Sequence, residues 1–238
     1  MLLTVVCLYV RGPYPYTAEY VTRLERMVRM YLPRPFRFVC LTDRPEELPT
    51  IETIRVTSLA GIVPRNGEGY WNKLRVFDPT IGLTFGRVLY LDLDTLVVAD
   101  LSPIVDFPAA LALTTDAFVV ERAHLDRDRY QRKLVRRFNG SVMVWDGGTQ
   151  DALWHTWKAS EALRLSTDQD WIGEQAPHAQ GMPLEWFPRI SHLTRDPGFA
   201  ETGTPMPAEA IVVLTKKPKN HICVQQWPWF DARWGKAA

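Results

Sequence analysis

Short apolar runs alternate with polar, turn-forming stretches along this chain, and a long amphipathic segment follows the first run. The N-terminal MLLTVVCLYV is apolar at nearly every position, which predicts a central strand covered on both faces. In residues 17–32, Val21, Leu24, Met27, Val28 and Tyr31 recur at helical spacing, with Thr17 as N-cap and Pro33 as the stop. RFVCLT at 37–42 is a second strand, ending at the polar pair Asp43-Arg44. Strand, helix, strand in that order predicts a parallel crossover unit.

The pattern continues with a weaker strand at 51–56 and a glycine-containing loop at 61–69. YWNKLRVFDP then reads as a helix with Trp71, Leu74 and Phe77 facing inward. Residues 88–91 are apolar throughout and predict a central parallel strand. Further strands are expected at 110–114 and 141–145, a helix at 151–163 and a late strand at 211–214. The C-terminal QQWPWFDARWG carries Trp227, Trp229 and Trp234. It predicts a tail packed across the core, or alternatively an acceptor platform or membrane-surface contact. The expected architecture is α/β: a single domain with a mostly parallel, Rossmann-like sheet and flanking helices.

One apolar run contains charge. In RVLYLDLDTLVVADL, Asp92 and Asp94 follow a buried strand, and in extended chain they share a face roughly 6–7 Å apart. At an effective dielectric near 20 two such carboxylates repel by roughly 2–3 kcal/mol. A divalent cation removes that cost, and ligands of open parallel sheets sit beyond the carboxyl ends of strands. Oxygen ligands suit Mn²⁺ or Mg²⁺, which in turn grip a diphosphate. The plainer alternative is that both carboxylates cap loop amides. Spacing alone does not decide, because Asp126/Asp128 and Asp168/Asp170 repeat it without an apolar strand before them.

Composition narrows the class. With 46% hydrophobic and 23% charged residues in 238, the chain reads as an ordinary globular protein, and a net charge of +1 predicts no nucleic-acid partner. Cys7, Cys40 and Cys223 lack metal-site spacing, and the N-terminus lacks a basic region and cleavage site. These features predict a cytoplasmic protein without a transmembrane segment, though peripheral membrane contact is open.

Several ordered segments together carry a resemblance: FVCLTD, GYWNKLRVF, RVLYLDLDTLVVADLSPI, FNGSVMVWD, STDQDW and VVLTKKPKNH. The chain resembles GT-A-fold glycosyltransferases, most closely the family-eight retaining enzymes and their small bacterial relatives. The resemblance implies a single GT-A-type domain over 1–238, with a nucleotide-binding half at 1–100 and an acceptor half with the C-terminal tail at 101–238. It implies a nucleotide-sugar donor, by preference a UDP-sugar, and a glycan, lipid-linked or protein acceptor. By the same resemblance Asp92 and Asp94 hold the metal on the diphosphate, and Tyr9, Arg11 and Asp43 recognise the nucleoside. Lys73 lies near the donor, and Lys73 and Lys217, with Lys216, stabilise the leaving diphosphate. Asn139, Gly140, Ser141 and Asp116 bind the donor sugar, while Asp168 and Gln169 form the acidic-amide pair beside the anomeric carbon.

The chain departs from the family at one point. Small relatives read FHGKPKPH where this chain reads LTKKPKNH, so Leu214, Thr215 and Lys216 replace Phe-His-Gly and the histidine metal ligand is missing. The metal then keeps a water there or recruits His221, or Lys216 neutralises diphosphate charge in its place. Residues 122–137 carry seven arginines and lysines, a solvated face or a contact for an anionic acceptor. Three other readings compete: a nucleotide-sugar-binding protein without turnover, a nucleotidyltransferase of similar architecture, and a haloacid-dehalogenase-type phosphatase. The phosphatase motif needs a glycine before its threonine and a later acidic pair, and the chain has neither.

Overall fold

A computed structural model describes residues 2–12, 14–59, 68–83, 86–115, 138–215 and 228–234. Asp116, residues 122–137, Lys216, Lys217, His221, Cys223 and Trp227 lie outside these.

A seven-stranded sheet is built from β1 (Leu3–Tyr9), β2 (Arg37–Thr42), β3 (Thr53–Arg55), β4 (Arg87–Leu91), β6 (Leu111–Thr115), β7 (Phe138–Asp146) and β8 (Gln180–Met182). Its order is β3-β2-β1-β4-β7-β6-β8. The β3-β2-β1-β4 half is parallel and β6 pairs β8 in parallel, whereas β7 runs antiparallel between β4 and β6. The mostly parallel α/β architecture expected from the pattern is therefore present. Two further strands, β5 (Thr95–Val97) and β9 (Val212–Leu214), form a separate antiparallel pair. Thus the late strand exists but does not join the main sheet.

Both faces of the sheet are covered, which explains why β1 and β4 read as unbroken apolar runs. On one face Val5, Cys7 and Leu89 pack beneath helix Ala18–Tyr31 with Val21, Leu24 and Val28. Phe230 and Trp234 of the C-terminal helix Pro228–Trp234 join the same cluster. On the other face Val6, Val88 and Tyr90 meet Trp71, Leu74, Phe77, Trp171 and Ile172. Burying an aliphatic or aromatic side chain of this size stabilises by roughly 1.5–3 kcal/mol.

Three local expectations are corrected. Thr17 occupies the N-cap of the first helix with extended backbone, but its side chain makes no capping hydrogen bond. The WNKLRVF segment is one turn of α-helix, Glu68–Trp71, followed by a 3₁₀ helix, Asn72–Phe77. Asp78 is extended ahead of Pro79, as the residue before proline prefers. The helix expected at 151–163 is instead two short ones, Ala152–His155 and Glu161–Arg164. Thr156 donates its hydroxyl back to Ala152 O at 2.6 Å, a local bond that competes with helix continuation. Among the described residues no helix is long and apolar enough to cross a membrane.

Candidate functional site

The aspartate pair is held in a turn. β4 ends at Leu91, the Asp92 amide donates to Ser141 O at 2.8 Å, and Asp92 O accepts from Thr95 N and Thr95 Oγ1. Asp92 and Asp94 are therefore not alternate residues of one extended strand, and the face-sharing argument from strand period fails. They still converge, because both line a cleft of about 280 Å³ beyond the carboxyl ends of β1 and β4. This end of a parallel sheet is where open α/β folds bind ligands.

Lys73 is the cation of the cleft floor. The 3₁₀ helix carries it 6% exposed, with Nζ 3.0 Å from Asp92 Oδ1, 4.0 Å from Asp168 Oδ2, and donating to Gly140 O at 3.0 Å. Burial works against its charge, but Asp92 and then Asp168 outweigh burial and raise its pKa above the ordinary lysine value. Tyr90 donates its hydroxyl to Asp92 Oδ1 at 2.7 Å. Burial, then the Asp92 charge, pushes this phenol well above its usual range, so it stays a donor.

Of the residues singled out from the sequence, Arg11, Lys73, Asp92, Asp94, Asn139, Ser141 and Gln169 line this cleft. Tyr9, Asp43, Gly140 and Asp168 do not. Tyr9 is buried, its ring beneath the Arg44 guanidinium at 4.0 Å and its hydroxyl donating to Glu47 at 2.6 Å. Burial and then that bond push its pKa up to about 12. Asp43 accepts the Arg11 amide at 3.2 Å and so fixes the loop after β1 rather than facing the cleft. Asp168 is fully buried behind Lys73, whereas Gln169 reaches the cleft. Asn139 Oδ1 accepts from the Ser141 amide at 2.8 Å, which orders the FNGS backbone. A Cβ on Gly140 would lie 3.4 Å from Asp168 Oδ2 and 3.5 Å from Lys73 Nζ.

The third Asp-x-Asp copy divides its labour. Asp170 accepts the Thr167 amide at 3.0 Å and caps helix Asp168–Gln175, leaving Asp168 for the lysine. Thr215 belongs to the LTKKPKNH segment that departs from the family pattern. It is buried, and both its amide, at 3.3 Å, and its hydroxyl donate to Asp94 O.

Reading the sequence missed an aromatic wall. Tyr14, Tyr16 and Tyr70 line the cleft with Tyr90. The Tyr14 ring lies 5.8 Å from Tyr70 at 65° and 5.7 Å from Tyr16 at 30°. Burial, followed by the charges of Asp94 and Asp92, raises the Tyr16 pKa. The one signal was the period-two pair in PYPY beside the first strand.

Among the described residues no group of three or more His, Cys, Asp or Glu side chains forms a metal cluster. Asp92 and Asp94 nevertheless suit a hard divalent cation, which is often bound by one or two carboxylates, waters and substrate phosphates. A carboxylate has about four lone-pair positions, so the bonds from Lys73 and Tyr90 leave Asp92 with acceptor capacity.

No family model and no curated protein matches the sequence. Solved structures do. The chain is similar to the galactosyltransferase LgtC, solved with donor and acceptor sugar analogues, at 19% identity over 98% of this chain and 95% of that one, with a TM-score of 0.66. Mouse xyloside xylosyltransferase 1, in its apo form, aligns at 12% identity, covering 92% and 99%, with a TM-score of 0.57. The glycosyltransferase GlyE of Streptococcus pneumoniae TIGR4 aligns at 13% identity over 98% of this chain and 62% of its own, with a TM-score of 0.60. At these identities the likeness is one of architecture: the chain has the GT-A fold, and its structural neighbours are glycosyltransferases, as its aspartate segment led one to expect.

Proposed function

We propose that this protein is a glycosyltransferase that moves a sugar from a nucleotide-diphosphate donor, a UDP-sugar, to a glycan, lipid-linked or protein hydroxyl with retention of configuration, in the cytoplasm. The observation that carries the reading is the convergence of Asp92, Asp94, Lys73 and an aromatic wall on one cleft at the carboxyl ends of β1 and β4. Asp92 and Asp94 would hold Mn²⁺ or Mg²⁺. When bound, that cation offsets the charge gathering on the departing diphosphate.

The chain's own groups account for the rest. The bond from the anomeric carbon to the diphosphate breaks, a bond to the acceptor oxygen takes its place, and the acceptor's hydroxyl proton leaves with the diphosphate, through a positively charged transition state. Lys73, kept charged by Asp92 and Asp168, adds a fixed positive charge at the leaving-group side. Gln169 lines the cleft and meets the sugar, with Asp168 acting through Lys73 behind it. Asn139 and Ser141, which line the cleft on either side of Gly140, face the sugar hydroxyls, and Arg11, on the loop fixed by Asp43, borders the nucleoside end. Asp116, Lys217 and His221 complete the reading as sugar, diphosphate and metal contacts.

Purified protein is tested by calorimetry against a panel of nucleotide sugars with and without Mn²⁺, and by UDP release. Binding and release by the wild type, with Asp94→Asn losing the metal-dependent part, is the expected result; no binding across the panel overturns the reading. A second reading, a donor-binding protein without turnover, draws on Thr215 standing in for the histidine ligand. Binding without UDP release, with and without an acceptor panel, would favour it.

A further inference from the structure

Asp92 is already held by a cation of the chain's own. Lys73 Nζ lies 3.0 Å from Asp92 Oδ1 and donates to Oδ2 at 3.1 Å, so one ammonium spans both oxygens of the first carboxylate. Tyr90 donates to the same Oδ1 at 2.7 Å. The ammonium has further contacts that do not involve Asp92: it donates to Gly140 O at 3.0 Å and lies 4.0 Å from Asp168 Oδ2. Lys73 is buried, whereas the Asp92 side chain is partly exposed and lines the cleft together with Asp94. The first carboxylate therefore stands between an internal charge and the open cleft.

We propose that Lys73 is the internal counter-cation of the aspartate pair, holding Asp92 while the pair is empty and competing with a divalent ion for that carboxylate's charge. The inference rests on the reading that the pair binds a divalent cation. A carboxylate in contact with an ammonium has much of its charge balanced, and a divalent ion drawn to it also meets the like charge of Lys73. Lone pairs remain on Asp92, so the competition is electrostatic rather than steric. Gly140 O and Asp168 keep the ammonium on the cleft floor when its share of Asp92 falls. The pair by itself is then a weak cation site, and an ion is held best where a diphosphate supplies the negative charge that Lys73 has cancelled. Ion and nucleotide diphosphate accordingly bind better together than apart.

The test uses the full chain in calorimetry with Mn²⁺ alone and with UDP alone. Lys73→Met is expected to bind Mn²⁺ about tenfold more tightly than the wild type, because a like charge beside the ion is gone, and to bind metal-free UDP more weakly. Removing a merely structural lysine would not tighten Mn²⁺ binding. Because Lys73→Met also removes the cation beside buried Asp168, a second comparison sets Lys73→Met/Asp168→Asn against Asp168→Asn, and the same gain is expected there. If the Lys73 variants bind Mn²⁺ no more tightly than their lysine-bearing parents while Asp94→Asn abolishes binding, the competition is absent and the metal reading stands. If the gain survives Asp94→Asn, the ion lies elsewhere and the inference is overturned. If neither the wild type nor the Lys73 variants bind Mn²⁺, with or without UDP, the metal reading itself fails and takes the inference with it.

Discussion

Replacing Lys73 by methionine removes one charge while keeping most of the side chain's length and apolar stem. In the native protein Nζ is 3.0 Å from Asp92 and 4.0 Å from Asp168. At an effective dielectric near 20 these two contacts amount to roughly 5 and 4 kcal/mol of attraction before desolvation is subtracted. Removing one member of a buried ion pair typically costs about 3–5 kcal/mol, because the remaining charge has lost its partner. Here two carboxylates are left, one of them fully buried, so Lys73→Met should lose about 3–5 kcal/mol of folding stability. Urea unfolding followed by the fluorescence of the nine tryptophans measures it. Adding Asp168→Asn to Lys73→Met should recover part of the loss, since the buried charge is gone. The advantage of wild type over Lys73→Met also has a direction in pH. A lysine whose folded pKa is raised contributes fully below its unfolded value and loses that contribution as pH rises through the folded one, so the gap should close only above the ordinary lysine range. A loss below about 1 kcal/mol, or no recovery in the double variant, would refute the view that Lys73 compensates these two carboxylates.

Three further outcomes follow from the same structure. Gly140→Ala should fold with a loss below about 1 kcal/mol, since its Cβ meets neighbours at 3.4–3.5 Å. It should weaken UDP-sugar binding relative to UDP in calorimetry, because the methyl lies beside Lys73 and Gln169. Gly203→Ala should cost about 2 kcal/mol or more in urea unfolding, because Gly203 has φ +66° and a Cβ would sit 2.2 Å from the Trp229 ring. Tyr9→Phe should flatten the alkaline limb of the stability profile: a phenol pushed up to about 12 stabilises fully below its unfolded value near 10, and that contribution fades as pH rises through 12. Denaturant midpoints between pH 9 and 12 check it.

The apolar runs of β1, β2 and β4 were legible because strands covered on both faces leave few positions for polar residues. The helix at Ala18–Tyr31 was legible for a related reason: a single buried face imposes a 3.6-residue period along its whole length. The aspartate pair stood out because charge after such a run needs a cause. Sequence spacing could not say that the pair lies in a turn, since Thr95 bonds back to Asp92 only in the folded loop. Nor could it separate Asp168 from Asp170: equal residues two apart, one capping a helix and the other buried against a lysine 95 positions away in the chain. The tyrosine wall was barely legible because Tyr14, Tyr16 and Tyr70 come from loop and short-helix sequence far apart in the chain, and only the parallel pairing of β1 with β4 brings them to one cleft. The sequence by itself determined which segments must be buried and where charge accumulates against that rule. Which of those charges face each other, and across what distance, was decided by the tertiary structure, because ion pairing and cleft geometry depend on contacts between segments far apart in the chain.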